Sequence, residues 1–348
     1  MHSLEQHLDR LFVPSSTTQP TASLFPYIDF SNDPIIPLPG LASHTLMYCF
    51  PLQANHDKLT AVCNQRLNFS PLSQTVRYLP ISSQVIMVLS HLQKSYTLDK
   101  DYKRAGLIQE TAAQVFIPVI EWKLNHRSEW TAQRVLAFIP YIFVDSPITY
   151  AIGREHIGFP KNMGQFQYPE SPQRADSFEV SAYGFQRFDD QNPQFPGYHP
   201  WLSIKKTADA PNAPTGNWTN HRDAWTDVKR SLNLTPSDSL FPNNLGFYVH
   251  ELEDLLRAEI PMIFLQQFRD ITDPQRACYQ SINEAPGRVQ AIYGGWFLHG
   301  EFDATFHDMA SFPIKSDLGL PDRTTINHAF WIDTDLVFET GQTLWKAP

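Results

Sequence analysis

The sequence of 348 residues is poor in cations and contains no long apolar run. Lysine and arginine total 27 against 36 acidic residues, which gives a net charge of −9. Duplex nucleic-acid binders need a basic stripe, so the composition excludes that class. No apolar stretch approaches the ~20 residues that span a bilayer, which excludes a membrane-embedded protein.

Cysteine is also scarce, which bears on the compartment and on metal binding. Cys49, Cys63 and Cys278 are too few and too scattered for a disulfide framework, and no Cys-x-x-Cys pair suggests a zinc site. The N-terminus has neither the positive start nor the unbroken apolar run of a signal peptide. These absences predict a reducing, cytoplasmic compartment and no metal site.

The residues that are abundant indicate a folded protein with apolar interior space. Hydrophobic residues make up 42% of the chain, aromatic residues 13% and charged residues 18%. Disordered chains have the opposite balance, so disorder is excluded. The combination of many aromatic side chains and few cations favours an apolar cavity or a thick core.

Short β-branched and aromatic runs bounded by turn residues dominate the chain and predict strands. Helical spacing predicts three helices, over residues 4–12, 55–67 (capped by Asn55 or Asp57) and 248–257. The expected fold is mostly β with peripheral helices (α+β), a large antiparallel sheet or barrel enclosing an apolar pocket. The predicted strands are 45–50, 84–89, 115–120, 135–144, 178–183, 263–268, 278–283, 289–297, 302–306 and 328–333.

We find no linker between two independent cores, so the sequence predicts one catalytic domain over residues 44–348. An N-terminal helix and extended arm over residues 1–43 precede it. Proline-containing loops are predicted at 190–200 and 207–219.

The segment from Ser146 to Gly164 carries the chemistry. An apolar strand is predicted to run into Gly153-Arg154-Glu155, and Pro160 fixes the backbone just before Lys161. The neighbours of Lys161 are apolar, and an apolar environment disfavours a charged ammonium. The neutral amine can then attack a ketone and form a Schiff base. Taken alone, these residues leave open a surface lysine and a structural Arg154–Glu155 charge pair.

The pattern Gly153-Arg154-Glu155-x-x-Gly158-Phe159-Pro160-Lys161 resembles the signature of the acetoacetate decarboxylase family. Three further segments resemble that family in the same order: Gln109-Glu110 before Phe116–Val119, residues 273–278, and residues 302–315. The match is collinear from about residue 44 to 340. It leaves out the first forty residues and insertions near 91–104 and 190–220.

The resemblance implies an acetoacetate decarboxylase-like fold with Lys161 as the Schiff-base nucleophile. It implies that Glu110 handles protons or repels the carboxylate, and that Arg154, Glu155 and Phe159 belong to the pocket. It also implies a small keto-acid substrate, no metal or organic cofactor, and a homo-oligomer, although no sequence feature specifies self-association.

Departures from the family pattern affect how a substrate carboxylate is held. The family's second lysine is replaced by Asn162, and no arginine occurs between Leu41 and Gln65, where His44 is the nearest polar residue. We therefore place Asn162 and His44 in the pocket. Glu110 lies two residues further from its proline than the family pattern expects, and Glu121 is the weaker alternative.

Three hypotheses follow from these residues. The first is a carbon–carbon lyase that decarboxylates a β-keto acid through a lysine iminium and an enamine. The second keeps the lysine but runs aldolase, dehydratase or cyclase chemistry on an oxo acid or a polyketide-like substrate. The third is a non-catalytic β-barrel that binds an apolar ligand.

Overall fold

The computed structural model describes residue 28 and residues 37–99, 106–209, 215–232 and 259–348. Within these ranges the helices are α1 (His56–Arg66), α2 (Pro147–Ile152), α3 (His221–Leu232) and α4 (Ile314–Leu318). The strands there are β1 (Gly40–Gln53), β2 (Val76–Pro80), β3 (Gln84–Thr97), β4 (Ile108–Leu124), β5 (Trp130–Val144), β6 (Lys161–Gln167), β7 (Ser177–Gly184), β8 (Gly197–Ala208), β9 (Glu259–Arg269), β10 (Ala277–Phe297), β11 (Glu301–Phe306), β12 (Arg323–Ile326), β13 (Phe330–Phe338) and β14 (Gln342–Lys346).

Seven of the strands pair with one another in a closed circuit. Its order is β4, β5, β9, β10, β13, β1, β3 and back to β4. All of these pairings are antiparallel except β5 with β9. Because side chains alternate across a strand, each strand of the circuit presents one face inward and one outward.

A second run of strands covers the outer face of the circuit. It branches from β5 through a parallel pairing with β6 and continues through β7, β8, β11 and β12. The main hydrophobic core fills the space between the two layers. Phe50 on β1 is fully buried there, and its ring centroid lies 5.0 Å from Phe178 on β7 and 5.8 Å from Phe302 on β11. Burying one such side chain contributes about 1.5–3 kcal/mol.

Strand β4 separates this core from the interior of the circuit. Its odd positions, such as Val115 and Ile117, lie in the main core. Its even positions, including Glu110, Gln114 and Phe116, line an interior cavity. The period of two therefore places Glu110 inward, and a one-residue shift in register would turn it outward.

The mostly β fold with peripheral helices is confirmed. All ten predicted strands fall in or overlap strands of the structure, although 278–283 and 289–297 are parts of one strand, β10. Helix α1 is confirmed as well, and the side chain of Asn55 caps it by accepting a hydrogen bond from the backbone N–H of Lys58 at 3.1 Å. The sheet differs in being mixed, because β5 pairs in parallel with both β6 and β9.

Two local predictions are wrong. The residues before Gly153 form helix α2 rather than a strand, because the Ser146 hydroxyl accepts from the N–H of Thr149 and Pro147 occupies the first helical turn. Residues 197–200 and 207–208, predicted as loop, belong to β8. That strand is stabilised by pairing with β7 and β11, and the register shifts near Pro200, where proline cannot donate a hydrogen bond.

Several predictions fall mostly outside the described residues. They are the helix and arm over 1–43, the helix over 248–257, and parts of the two insertions. The boundaries of the catalytic domain therefore stay a prediction. No helix in the described ranges has both the length and the apolar character needed to cross a membrane.

The thiols provide a test of the core. Cys49 and Cys63 are buried, and burial raises the pKa of each to about 12, whereas Cys278 is exposed. Thiolate is the reactive form, so at pH 8 the two buried thiols are unreactive. We expect a disulfide reagent such as DTNB to titrate one thiol in the native protein and three in denaturant. Two or more fast thiols in the native state would contradict this packing.

Candidate active site

A cavity of about 180 Å³ lies inside the circuit, and all seven strands contribute to its walls. Lys161 and Glu110 are the only ionisable residues among the described residues that line it. Both are buried, with exposed fractions of 9% and 6%. The Nζ atom of Lys161 donates to Oε2 of Glu110 at 2.5 Å. A buried ion pair that faces an apolar cavity is the main chemical feature of this site.

The segment between β5 and β6 holds Lys161 at the cavity wall. After α2, residues Gly153–Ile157 form a π-helical turn, and Gly158 ends it in the left-handed conformation with φ 93°. A side chain at Gly158 would lie 2.8 Å from the Cβ of Gln266, so this position favours glycine on both counts. Lys161 then starts β6, paired with Ile142.

Gln266 on strand β9 holds the π-helical turn Gly153–Ile157 in place through side-chain hydrogen bonds. Its side-chain amide donates to the carbonyl oxygens of Arg154 (3.1 Å) and Glu155 (2.8 Å) and accepts from Asn283 at 2.7 Å. These hydrogen bonds give two carbonyl oxygens of the turn a partner within the protein. The turn that carries the signature is therefore tied to the circuit strands β9 and β10.

Gly153 limits where the Lys161 side chain can lie. Its φ of −60° suits any residue, but an added Cβ would sit 2.5 Å from Cδ and 2.9 Å from Cε of Lys161. We expect Gly153→Ala to displace the amine without disturbing the backbone. A displacement of about 1 Å at a reacting group can cost up to about a hundredfold in rate.

The measurement is the rate at which cyanoborohydride fixes a ketone on the protein. Gly197→Ala is the matched control, because the atoms nearest its added Cβ are 3.6 Å away. Equal rates for Gly153→Ala and the wild type would show that the lysine position is not confined by this glycine.

The arginine and glutamate of the signature lie beside the cavity rather than in its wall. Arg154 donates to the carbonyl oxygen of Lys161 at 3.0 Å, and its guanidinium lies 5.6 Å from the centre of the Tyr150 ring. It lines a neighbouring pocket of about 250 Å³, which shares Phe159 with the lysine cavity. The side chain of Glu155 is exposed. Arg154 therefore supports the lysine backbone.

Of the remaining predicted site residues, Phe159 lines the cavity, whereas Asn162 and His44 do not. Phe159 is buried in the cavity wall and packs against Phe264 at a centroid distance of 4.7 Å. Asn162 is not part of the wall and donates to the carbonyl oxygen of Pro160 at 3.1 Å. His44 lies outside the wall as well, stacked on Tyr293 at 4.2 Å, while its neighbour Thr45 lines the cavity.

Glu121, the alternative to Glu110, lies near the far end of β4 in a buried ionic network. Arg134 donates from Nε to Glu121 at 2.9 Å and from both terminal nitrogens to Glu284, at 2.8 and 2.6 Å. Removing one member of such a network typically costs about 3–5 kcal/mol. The structure therefore pairs Lys161 with Glu110 and gives Glu121 a partner of its own.

Much of the cavity wall was not predicted from the sequence. Ser90, Gln114 and Thr149 supply neutral polar groups, and β9, β10 and β13 supply the apolar side. The alternation along β4 contains a signal for Gln114, because it shares a face with Glu110. Strands β10 and β13 reach the cavity because they pair with strands far away in the sequence, and no local sequence pattern indicates this.

Comparison with known proteins bears on the fold. No protein-family model and no curated protein sequence matches the chain. Solved structures do match: acetoacetate decarboxylase from Legionella pneumophila aligns at a TM-score of 0.55 and 13% identity, covering 94% of this chain and 93% of that one. The chain has the acetoacetate decarboxylase fold.

Two further structures agree on this fold. A second acetoacetate decarboxylase aligns at a TM-score of 0.53 and 12% identity, covering 90% of this chain and 92% of that one. An acetoacetate decarboxylase-like enzyme from Sphingomonas wittichii aligns at 0.50 and 11%, covering 90% and 94%. The neighbours are enzymes, and at these identities the likeness concerns the acetoacetate decarboxylase fold alone.

Proposed function

We propose that this protein is a Schiff-base-forming lyase that decarboxylates a 3-oxo acid at Lys161. The observation that supports this most directly is the buried Lys161–Glu110 pair at 2.5 Å, facing a cavity whose other described lining residues are uncharged. A lysine that has lost its proton to a neighbouring carboxylate is a nucleophile for a ketone carbon. The signature around Lys161 and the acetoacetate decarboxylase fold support the same assignment.

The proposed reaction starts with proton transfer from Lys161 to Glu110. The neutral amine adds to the ketone carbon, and the resulting carbinolamine loses water to give an iminium. The carbon–carbon bond to the carboxylate then breaks, CO₂ leaves, and the electron pair moves to the iminium nitrogen to give an enamine. Protonation at carbon and hydrolysis release the ketone and restore Lys161. The iminium is the electron sink, so this sequence requires no further cofactor.

The uncharged walls of the cavity favour the bond-breaking step. A carboxylate is poorly solvated among apolar side chains, whereas CO₂ and the neutral enamine lose little there. The transition state, in which the negative charge is being dispersed, is thus favoured relative to the bound acid. When Glu110 is ionised it also repels the substrate carboxylate, because two negative charges at short range in a buried site destabilise each other.

A second candidate keeps the imine and changes the bond that reacts. Among the described lining residues Lys161 is the only cation, so a substrate carboxylate meets no arginine or second lysine. That observation favours aldol, dehydration or cyclisation chemistry on a carbonyl compound whose carboxylate, if it has one, lies outside the cavity. Glu110 would then move the proton at the carbon next to the iminium.

One experiment separates these functions from each other and from simple binding. The full-length protein is incubated with acetoacetate and longer 3-oxo acids, CO₂ release is measured, and parallel samples are reduced with cyanoborohydride for peptide mass mapping. We expect CO₂ release together with an adduct on Lys161. An adduct without CO₂ would support the second candidate. Apolar ligand binding with no adduct would mean a non-catalytic binding protein.

A further inference from the structure

The cavity has one ionic side and a large apolar remainder. The ionic side is the Lys161–Glu110 pair, whose charges balance each other before any substrate enters. The other walls come from the strands β1, β3, β9, β10 and β13 of the circuit. Their side chains include Met47, Val88, Met262, Val289, Leu336 and Phe338.

The neutral polar groups of the wall are largely occupied within the protein. Gln114 donates to the hydroxyl of Ser90 at 3.3 Å, and the Thr45 hydroxyl donates to the carbonyl oxygen of Ala42 at 3.3 Å. A substrate that extends from Lys161 therefore meets mostly apolar surface. Acetoacetate has a single methyl group to place against it.

The apolar wall lies across the circuit from the reacting amine. Glu110 is on β4, and Lys161 is paired with β5 through Ile142. Val289 on β10 and Leu336 on β13 are register partners, and both line the cavity. In the closed order, β9 separates β5 from β10 on one side, and β1 and β3 separate β13 from β4 on the other. A chain attached to the imine carbon that points away from Glu110 meets Val289 and Leu336.

The space available fits a group of moderate size. The cavity measures about 180 Å³ with the lysine side chain in place, whereas a dry cavity of ~150 Å³ binds benzene. There is room for a short chain or a ring beside the carbonyl group, and a substrate as small as acetoacetate would leave apolar wall uncovered.

From these walls we infer that the substrate carries an apolar chain or ring on its carbonyl carbon, so that 3-oxohexanoate is used in preference to acetoacetate. This inference rests on the proposed Schiff-base function of Lys161. Burying one CH₂ group changes binding by about 0.8 kcal/mol, which corresponds to about fourfold. Two added carbons should therefore improve capture about 16-fold.

The test uses the ketones first, so that it does not depend on decarboxylation. Acetone, 2-butanone, 2-pentanone and 2-hexanone are each titrated with the full-length protein in the presence of cyanoborohydride, and the concentration for half-maximal modification of Lys161 is measured. We expect this half-maximal concentration to fall about fourfold for each carbon added to the ketone, up to 2-pentanone. The rate of CO₂ release from acetoacetate and 3-oxohexanoate should differ in the same direction in kcat/KM.

Two variants locate the chain in the cavity. Val289→Phe fills the apolar side, and we expect it to remove the advantage of 2-pentanone over acetone. Leu336→Ala enlarges the same side and should move the best ketone to a longer one, so the pair stays informative if either variant folds poorly. Gln290→Phe is the matched control, because it adds the same ring at the neighbouring exposed position.

The outcomes distinguish this inference from the function on which it rests. Modification of Lys161 by every ketone with no dependence on chain length would overturn the apolar-chain inference and leave the Schiff base standing. A chain-length dependence that neither cavity variant alters would overturn it as well, because the chain would lie elsewhere. No modification by any ketone or acid would remove the proposed function and the inference together.

Discussion

Replacing Lys161 by methionine is expected to abolish covalent capture of ketones and all turnover that depends on it. Methionine has similar length and is apolar, so it fills the same space beside Gly153 without supplying an amine. The measurement is intact mass after incubation with 2-pentanone and cyanoborohydride, followed by peptide mapping. The wild type should gain one alkyl group on the peptide that contains Lys161, and the variant should gain none there.

The controls for this variant follow from the ion pair. Methionine alone leaves the Glu110 carboxylate buried without its partner, and breaking a buried pair typically costs about 3–5 kcal/mol. The double variant Lys161→Met/Glu110→Gln removes both charges and should recover most of that loss, so a folded protein without the amine can be assayed. Lys205→Met removes a largely exposed lysine on β8 and should keep full capture.

A specific adduct that persists in the double variant would contradict the proposal, because another amine would then be the nucleophile. Loss of the adduct with recovery of the melting temperature is the expected combination. It separates a missing nucleophile from a missing fold, which a single inactive variant does not do.

Lys161 and Glu110 were predicted through the resemblance of their segments to the acetoacetate decarboxylase family, because Pro160 and the apolar neighbours of Lys161 alone leave a surface lysine open. The mostly β class, by contrast, followed from short runs of β-branched and aromatic residues. These are properties of single segments, and they do not depend on which strands pair.

The rest of the fold and of the cavity wall depends on pairing between strands that lie far apart in the sequence. The closed circuit brings β10 and β13 opposite β4 and β5, and no local pattern in the sequence encodes that arrangement. His44 shows the consequence. The sequence predicts it in the pocket as the nearest polar residue on the first core strand, whereas in the structure it stacks on Tyr293 and its neighbour Thr45 lines the cavity. Neighbouring residues on a strand point to opposite faces of the sheet, so an error of one residue places the wrong side chain in the cavity.

The position of Asn162 bears on the missing second cation. Asn162 stands where the resemblance to the acetoacetate decarboxylase family leads us to expect a second lysine. In the structure the Asn162 amide binds the carbonyl oxygen of Pro160, outside the cavity wall. The charge next to Lys161 is instead that of Glu110, so the proposed reaction depends on proton transfer within this pair.

Glu110→Gln is expected to lower the rate of imine formation and of turnover by about 10²–10⁴-fold, the usual contribution of a positioned acid–base group. The carboxylate is 2.5 Å from Nζ and is the only proton acceptor with ionisable character among the described residues of the wall. The measurement is the initial rate of cyanoborohydride trapping of 2-pentanone, with kcat for 3-oxohexanoate in parallel. Glu110→Asp should recover part of the rate, and Gln109→Ala, at the exposed neighbouring position, should be unchanged.

Two effects of this substitution oppose each other, and the trapping rate shows which dominates. Removing the carboxylate takes an anion away from the amine, and this change on its own favours the neutral, nucleophilic form. It also removes the group that accepts the lysine proton and returns a proton when water leaves the carbinolamine. Because the described wall offers no other group for that transfer, we expect the second effect to dominate. Trapping as fast as the wild type would show instead that Glu110 mainly holds the ammonium in place and that solvent carries the protons.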